Sequence, residues 1–146
     1  MKVLTSLCTA LLLFTISSCG SQEPFVPETY ENEYITFGNG GGITGAVTQF
    51  YVLKDGRTYK KISTDSLSFM GKLDKNVCQQ QFLGLDKWGL KEMKINDPGN
   101  RYFFLDTKKG NNRLTWGGNH EKAPDILIAF HANLSSLVKD LNTNKN

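Results

Sequence analysis

The chain has 146 residues, and its 17 Lys and Arg against 14 Asp and Glu give a formal net charge of +3. A chain of that length is expected to form one domain with a single hydrophobic core of modest size. The basic residues are dispersed along the chain, so the composition argues against nucleic-acid binding.

The first residues have the three parts of a bacterial export signal. Lys2 is positive, the segment from Val3 to Ile16 is largely apolar, and small residues precede Cys19. The apolar segment is shorter than the roughly 20 residues of a membrane-spanning helix. Residues 16–19 resemble the lipobox of bacterial lipoproteins, which implies cleavage before Cys19 and attachment of diacylglycerol and a further palmitate-type chain. Several acyl chains together hold a protein on a membrane with very slow release.

Two further expectations depend on this N-terminus. Cys19 is followed by Gly20 and Ser21, whereas some bacteria place Asp there to retain lipoproteins in the inner membrane, so we expect a cell-envelope protein of the outer membrane. The alternative to a lipobox is an ordinary secretory signal that is cleaved elsewhere. Removal of residues 1–18 would leave Cys78 as the single thiol beside the lipidated one, which excludes an intramolecular disulfide.

The composition of the chain changes near residue 33. Residues 19–33 contain two prolines and four glutamates and have little to bury, so they are predicted to form a flexible tether. Residues 34–146 contain apolar and β-branched segments, and they are predicted to form a single folded domain.

Strand-like segments dominate the first half of this domain. Residues 34–37 form a short run that is ended by glycines, and residues 47–53 are rich in β-branched and aromatic side chains. Asp55-Gly56 then predicts a hairpin turn to a returning strand at 58–62. A further short strand is predicted at 66–72.

Helices and a second hairpin make up the rest of the domain. A helix is predicted over 75–83 with Asp74 as its cap, and residues 101–107 and 113–116 are predicted to pair. Apolar residues three and four apart after Pro124 predict a long amphipathic helix. This order predicts an α+β fold, with a mainly antiparallel sheet and about two helices on one of its faces.

The glycine run is the most unusual local feature. Residues 40–45 formally satisfy the G-x-G-x-x-G pattern of dinucleotide-binding proteins, but the residues that follow alternate like a strand, so we expect no nucleotide or other cofactor. One interpretation is a glycine turn or bulge between two strands, where positive φ is needed. The other is a loop that contacts a partner protein through Gly40, Gly41, Gly42, Thr44 and Gly45.

The residues that could act in catalysis or bind a metal do not form a recognisable active site. Cys78 lies on the expected inner side of a helix, which favours a buried, unreactive thiol over a pair with His120 or His131. His120 and Glu121 are too few for a zinc site. We therefore assign no catalytic residue and no metal site, and we expect a protein that is not an enzyme. The enzyme alternative would use His120, Glu121 and Asp97.

Strand alternation places aromatic residues on both faces of the predicted sheet. Phe50 and Val52 fall on one face, and Tyr51 and Leu53 fall on the other. Three arrangements are open: both faces are covered, the rings pack across strands, or exposed rings form a contact surface for a protein or glycan.

Several motifs carry a family resemblance. The chain resembles a family of uncharacterised small lipoproteins of Bacteroidota at residues 37–45, 51–56 and 98–100, at Tyr102, at Trp116-Gly117 and in the final helix. The glycine turn after a strand is also similar, over a short stretch, to emfourin-type protein inhibitors of metallopeptidases. The first resemblance implies a lipid-anchored location in the cell envelope. The second implies that the protein is an inhibitor. Asp65-Ser66-Leu67 resembles an O-glycosylation motif of the same bacteria, which implies a glycan on Ser66.

Two classes of function stay open. The first is a membrane-tethered module that binds another protein of the envelope, as an inhibitor, an immunity protein or a subunit of a complex. The second is an enzyme or small-ligand binder. The small size and the glycine loop favour the first. Substitution of Gly41 or Gly42 by Val is expected to abolish capture of the partner while the fold survives.

Overall fold

A computed structural model describes residues 24–107 and 112–143. They belong to two compact units that divide between Glu31 and Asn32. The predicted signal peptide, Cys19 and the start of the tether lie outside the described residues. Neither helix within the described residues combines the length and the hydropathy that a bilayer span requires.

The described part of the first unit contains a turn. The amides of Thr29 and Tyr30 donate to the carbonyl of Val26 at 3.1 and 2.9 Å. The ring of Tyr30 meets Phe25 edge to face, with centroids 5.2 Å apart. Local structure therefore interrupts a segment whose composition predicts a flexible chain.

The second unit contains one sheet and two helices. Its described residues form β1 (Tyr34–Gly41), β2 (Thr48–Leu53), β3 (Arg57–Ile62), β4 (Ser68–Lys72), α1 (Lys75–Lys87), β5 (Asn96–Asp97), β6 (Arg101–Thr107), β7 (Arg113–Gly117) and α2 (Asp125–Thr143). The strand order is β4-β3-β2-β1-β6-β7-β5. All neighbours are antiparallel except β5 and β7. The predicted α+β fold and mainly antiparallel sheet are confirmed.

Both helices pack on one face of the sheet, as predicted. Alternation along the strands turns every second residue towards the helices. These strand residues and the apolar stripes of α1 and α2 form one buried cluster. Its members include Ile35, Phe37, Val52, Leu105, Leu114, Trp116, Cys78, Phe82, Leu85, Leu127, Phe130, Leu134 and Val138.

Helix α1 continues beyond the predicted end at Leu83. A Cβ on Gly84 would lie only 3.3 Å from Cε2 of Phe130 in α2, so the absence of a side chain lets the two helices approach. The ring of Trp88 then meets Phe130 edge to face at 5.7 Å. Packing against α2 therefore extends the helix through a glycine to Lys87.

Strand β1 continues through the glycines that were expected to end it. Gly38 and Gly40 lie opposite Phe104 and Tyr102 of β6. A Cβ on Gly40 would lie 2.6 Å from the hydroxyl oxygen of Tyr102. One on Gly38 would overlap the carbonyl oxygen of Thr48 in β2 and would lie 3.0 Å from Cζ of Phe104. The two rings occupy the space above the glycines, and this aromatic cover compensates for the low strand propensity of glycine.

Aromatic rings on the face opposite the helices pack across strands. Tyr34 of β1 contacts Tyr51 of β2 with centroids 6.0 Å apart. Tyr59 of β3 contacts Phe69 of β4 at 5.3 Å. Cross-strand ring packing, one of the three interpretations of the aromatic pattern, is thus confirmed at these pairs.

Glu33 lies in the second unit, one residue before β1. Its carboxylate contacts Nζ of Lys54 at 2.7 Å and Nζ of Lys91 at 3.0 Å. Burial alone would raise the pKa of Glu33, but the hydrogen bonds and charges of the two lysines outweigh it and hold the pKa below its ordinary value. The composition places Glu33 in the predicted tether, because Lys54 and Lys91, which it contacts, are distant in sequence.

Candidate binding site at the glycine loop

The loop between β1 and β2 is held at both ends by hydrogen bonds. The amide of Gly42 donates to the carbonyl of Asn100 at 2.7 Å, and the amide of Gly45 donates to the carbonyl of Gly42 at 3.2 Å. At the far end, the amide of Val47 donates to Oγ of Ser63 at 3.2 Å. Gly41, Gly42 and Gly45 have φ of 87°, 78° and 62°, which confirms a turn with positive φ between two strands.

The loop presents an isoleucine at its tip. The relative accessibility of Ile43 is 106%, which means that its whole side chain faces solvent. Thr44 is exposed beside it, and its hydroxyl accepts a hydrogen bond from the amide of Ala46 at 3.4 Å. Among the described residues, the amides of Ile43 and Thr44 donate no hydrogen bond. The tip therefore offers an apolar side chain and two backbone donors.

A cavity of about 670 Å³ adjoins this loop. Its walls come from the end of β1, the loop, the start of β2, the start of β6 and the residue that follows β7. The lining residues are Asn39, Gly40, Gly41, Gly42, Ile43, Thr44, Ala46, Thr48, Arg101, Tyr102, Phe103 and Gly118. Of these, only Arg101 carries a formal charge at neutral pH, so the site favours neutral or anionic groups.

Two glycines lie beside the side chain of Arg101. A Cβ on Gly42 would lie 3.5 Å from Nε of Arg101, and a Cβ on Gly118 would lie 3.4 Å from its Cβ. The Arg101 side chain therefore lies next to two residues that have no side chain. Its backbone is fixed by pairing with Gly41 and by a 2.8 Å hydrogen bond from the amide of Gly118 to its carbonyl. Arg101 also lines a second cavity of about 320 Å³, so it lies at the boundary of both.

Phe103, which lines the cavity, is the centre of an aromatic cluster that contains two histidines. The ring of His120 stacks on Phe103 at 5.1 Å, and that of Trp116 stacks at 6.0 Å. Nε1 of Trp116 donates to Nδ1 of His120 at 3.1 Å. Since Nδ1 accepts this hydrogen bond, neutral His120 carries its hydrogen on Nε2. The other histidine, His131, contacts Phe103 edge to face at 5.1 Å.

The residues of the enzyme alternative have the following surroundings. Nδ1 of His120 accepts a hydrogen bond from Trp116, Asp97 pairs with Lys122 at 3.1 Å, and Glu121 is exposed. Within residues 24–107 and 112–143, no three His, Cys, Asp or Glu side chains lie in an arrangement that would hold a metal ion.

Cys78 is the buried thiol that its position in the sequence predicts. Its side chain is fully buried, and Sγ donates to the carbonyl of Leu53 at 2.9 Å. Burial raises the pKa of the thiol to about 11, and the charge of Asp55 adds to this shift, while a hydrogen bond from Gly56 opposes it. The thiolate that a nucleophile needs is therefore disfavoured.

Ser66 is exposed in the segment between β3 and β4. It directly follows a turn that is closed by a 2.8 Å hydrogen bond from the amide of Asp65 to the carbonyl of Ile62. The position is accessible to a modifying enzyme, and the glycan on Ser66 stays a prediction.

The valine test expected from the sequence is unsuitable at Gly41. A Cβ there would overlap the carbonyl oxygen of Asn100, and φ is positive, so a side chain would disturb the pairing of β1 with β6. Gly45 also has positive φ, but a Cβ on it would meet nothing within 4 Å. The loop is therefore best tested through Ile43.

Sequence reasoning identifies the glycines and Thr44 of the site but not Ile43 or Arg101. Ile43 occupies a variable position of the glycine pattern, and Arg101 falls at the start of a predicted strand. The register that places Arg101 opposite Gly41 joins segments far apart in the chain, so no local pattern reveals it. No known protein family matches the chain, and no curated protein matches it.

Proposed function

We propose that this protein is a lipid-anchored module of the bacterial cell envelope that binds another protein through the loop between β1 and β2. The observation that carries the binding proposal is Ile43, a fully exposed large apolar side chain on a loop whose two ends are fixed by hydrogen bonds. A loop that is already ordered loses little conformational entropy on binding. An apolar anchor that enters a pocket of the partner supplies much of the affinity of an interface.

Photo-crosslinking from position 43 in the native envelope would identify the partner. The dissociation constant of the purified partner is then measured for the wild type, for Ile43→Ser and for Leu83→Ser. Leu83 is a matched control because it is 67% exposed on α1, away from the loop. We expect Ile43→Ser to weaken binding roughly tenfold or more and Leu83→Ser to leave it unchanged. Equal affinity of the wild type and Ile43→Ser would reject the loop as the contact.

The anchoring part of the proposal rests on the resemblance of residues 16–19 to a lipobox. We expect Cys19→Ala to abolish incorporation of a clickable palmitate analogue and to release the protein from the membrane fraction. Cys78→Ser is the matched control and is expected to keep the label. Label retained in Cys19→Ala would contradict lipidation at this residue.

The cavity beside the loop favours one alternative, a small-ligand binder. Its volume of about 670 Å³ falls in the range of small-molecule sites, which is roughly 300–1,000 Å³. Under this alternative, a compound that raises the melting temperature of the wild type would lose its effect in Thr48→Tyr, whose ring would fill part of the cavity. Partner binding without any stabilising compound would favour the protein-binding module.

A further inference from the structure

We infer that Arg101 and the loop beside it form a site for a carboxylate carried by the protein partner. This inference rests on the proposed function and adds the chemistry of the group that the partner presents. It assigns the specificity of the site to a charged residue that lies outside the glycine pattern.

The first support is the state of the Arg101 guanidinium. Arg101 is exposed, and within the described residues it forms no ion pair. Two other cations near the sheet do have a carboxylate partner, since Arg57 pairs with Asp55, and Lys122 pairs with Asp97. No described residue that lines either neighbouring cavity is acidic. The charge of Arg101 is therefore available to a ligand.

The second support is the set of backbone donors beside this charge. The amides of Ile43 and Thr44 have no acceptor among the described residues, and they directly follow Gly42, which lies against Nε of Arg101. A planar guanidinium with adjacent amide donors matches the two oxygens of a carboxylate. Backbone amides and cationic side chains are a recurring means of binding peptide carboxylates.

The third support is the space around the Arg101 side chain. Gly42 and Gly118 have no side chains that would cover it, and its backbone is held by Gly41 and Gly118. The guanidinium is therefore accessible to an anion. Ile43 and Arg101 line the same cavity, so a partner segment with an acidic residue next to an apolar pocket fits both features.

The partner identified by crosslinking provides the first test. Its dissociation constant is measured for the wild type, Arg101→Gln, Arg101→Lys and Lys139→Gln, the last being an exposed cation on α2. We expect Arg101→Gln to weaken binding roughly 30-fold, Arg101→Lys to restore part of it, and Lys139→Gln to have no effect. Melting temperatures of all variants check that the fold is intact.

The outcomes separate the two proposals. If Ile43→Ser weakens binding and Arg101→Gln does not, the carboxylate site is overturned while the loop remains the contact. If neither variant weakens binding, both proposals fail. If Arg101→Gln weakens binding no more than Lys139→Gln does, the effect is one of overall charge, and the carboxylate site is overturned as well.

A second measurement needs no partner. Amide resonances of the ¹⁵N-labelled lipidated protein in detergent are followed during titration with N-acetylglycine, N-acetylglutamate amide and neutral N-acetylglycinamide. We expect saturable shifts at Ile43 and Thr44 with at least one carboxylate, which are absent with the neutral probe and in Arg101→Gln. The first carboxylate represents a chain terminus and the second a side chain, so their relative affinity identifies the source. Equal shifts in the wild type and Arg101→Gln would overturn the site.

Discussion

Nε2 of His131 lies 3.1 Å from the carbonyl oxygen of Gly38 and ties α2 to the central strand of the sheet. A carbonyl can only accept, so Nε2 carries the hydrogen. The rings of Phe37, Phe103 and Trp116 each meet the imidazole edge to face, at 5.6, 5.1 and 5.3 Å. Burial among these rings lowers the pKa of His131 below its ordinary value of 6.5, and His120 adds to this shift, while the bond to Gly38 opposes it.

This histidine predicts a loss of stability in mild acid. Below pH 6.5 the unfolded chain takes up a proton at residue 131 before the folded protein does, so the free energy of unfolding decreases as pH falls towards the lowered pKa. Above pH 6.5 this contribution is fully present. The slope reaches at most about 1.4 kcal/mol per pH unit. Urea unfolding between pH 7.5 and 5 of the wild type and His131→Gln measures it. Parallel pH profiles for the two proteins would contradict the assignment to His131.

Alanine substitutions at Gly41 and Gly45 should differ in their effect on stability. Both glycines have positive φ, which costs a side-chain residue about 1 kcal/mol. At Gly41 the new methyl group would also overlap the carbonyl of Asn100, whereas at Gly45 it would enter open space. We expect Gly45→Ala to lose about 1 kcal/mol and Gly41→Ala about 3 kcal/mol in urea unfolding. Equal losses would show that the contact with Asn100 relaxes without cost.

The aromatic cover of Gly40 by Tyr102 can be tested with a double-mutant cycle. Gly40→Ala alone would push a methyl group against the Tyr102 ring, and Tyr102→Ala alone would uncover the glycine. In the double variant the methyl group occupies the vacated space, so the two destabilisations should not add. We expect the double variant to be at least about 1 kcal/mol more stable than the sum of the single changes. Additive changes would mean that the ring does not cover the glycine.

Cys78 should resist alkylation until the protein unfolds. With its pKa at about 11, only about one thousandth of the thiol is ionised at pH 8, and the buried side chain is inaccessible to the reagent. Mass spectrometry of the Cys78 peptide after treatment with N-ethylmaleimide, with and without urea, measures this. Rapid labelling without urea would reveal local opening between α1 and β2.

The sequence-based prediction of the fold succeeded where local signals were strong. Asp55-Gly56 predicted the β2–β3 turn, in which the Gly56 amide donates to the carbonyl of Leu53 at 2.9 Å. Asp74 predicted the start of α1, and its carboxylate accepts from the amide of Asn76 at 2.8 Å. These signals act over a few residues, so they can be read without knowledge of the fold.

The features that were missed depend on distant partners. Gly38 and Gly40 remain in a strand because rings of β6 cover them, and Gly84 remains in a helix because it packs on Phe130. The two-residue strand β5 exists only because β7 lies beside it. The same reason hid Arg101 as a member of the site. One sequence signal does indicate this register. Two glycines two residues apart, Gly38 and Gly40, match two aromatic residues two residues apart, Tyr102 and Phe104.

The central position of β1 also sets the order of events in biogenesis. Strands β2, β3 and β4 follow β1 immediately, but its other edge pairs with β6, which begins at Arg101. Synthesis begins at the N-terminus, so one edge of β1 stays unpaired until most of the chain has been made. Contacts between distant segments form late in folding. Until β6 arrives, the open edge of β1 exposes unpaired backbone groups with which a strand of another chain could pair.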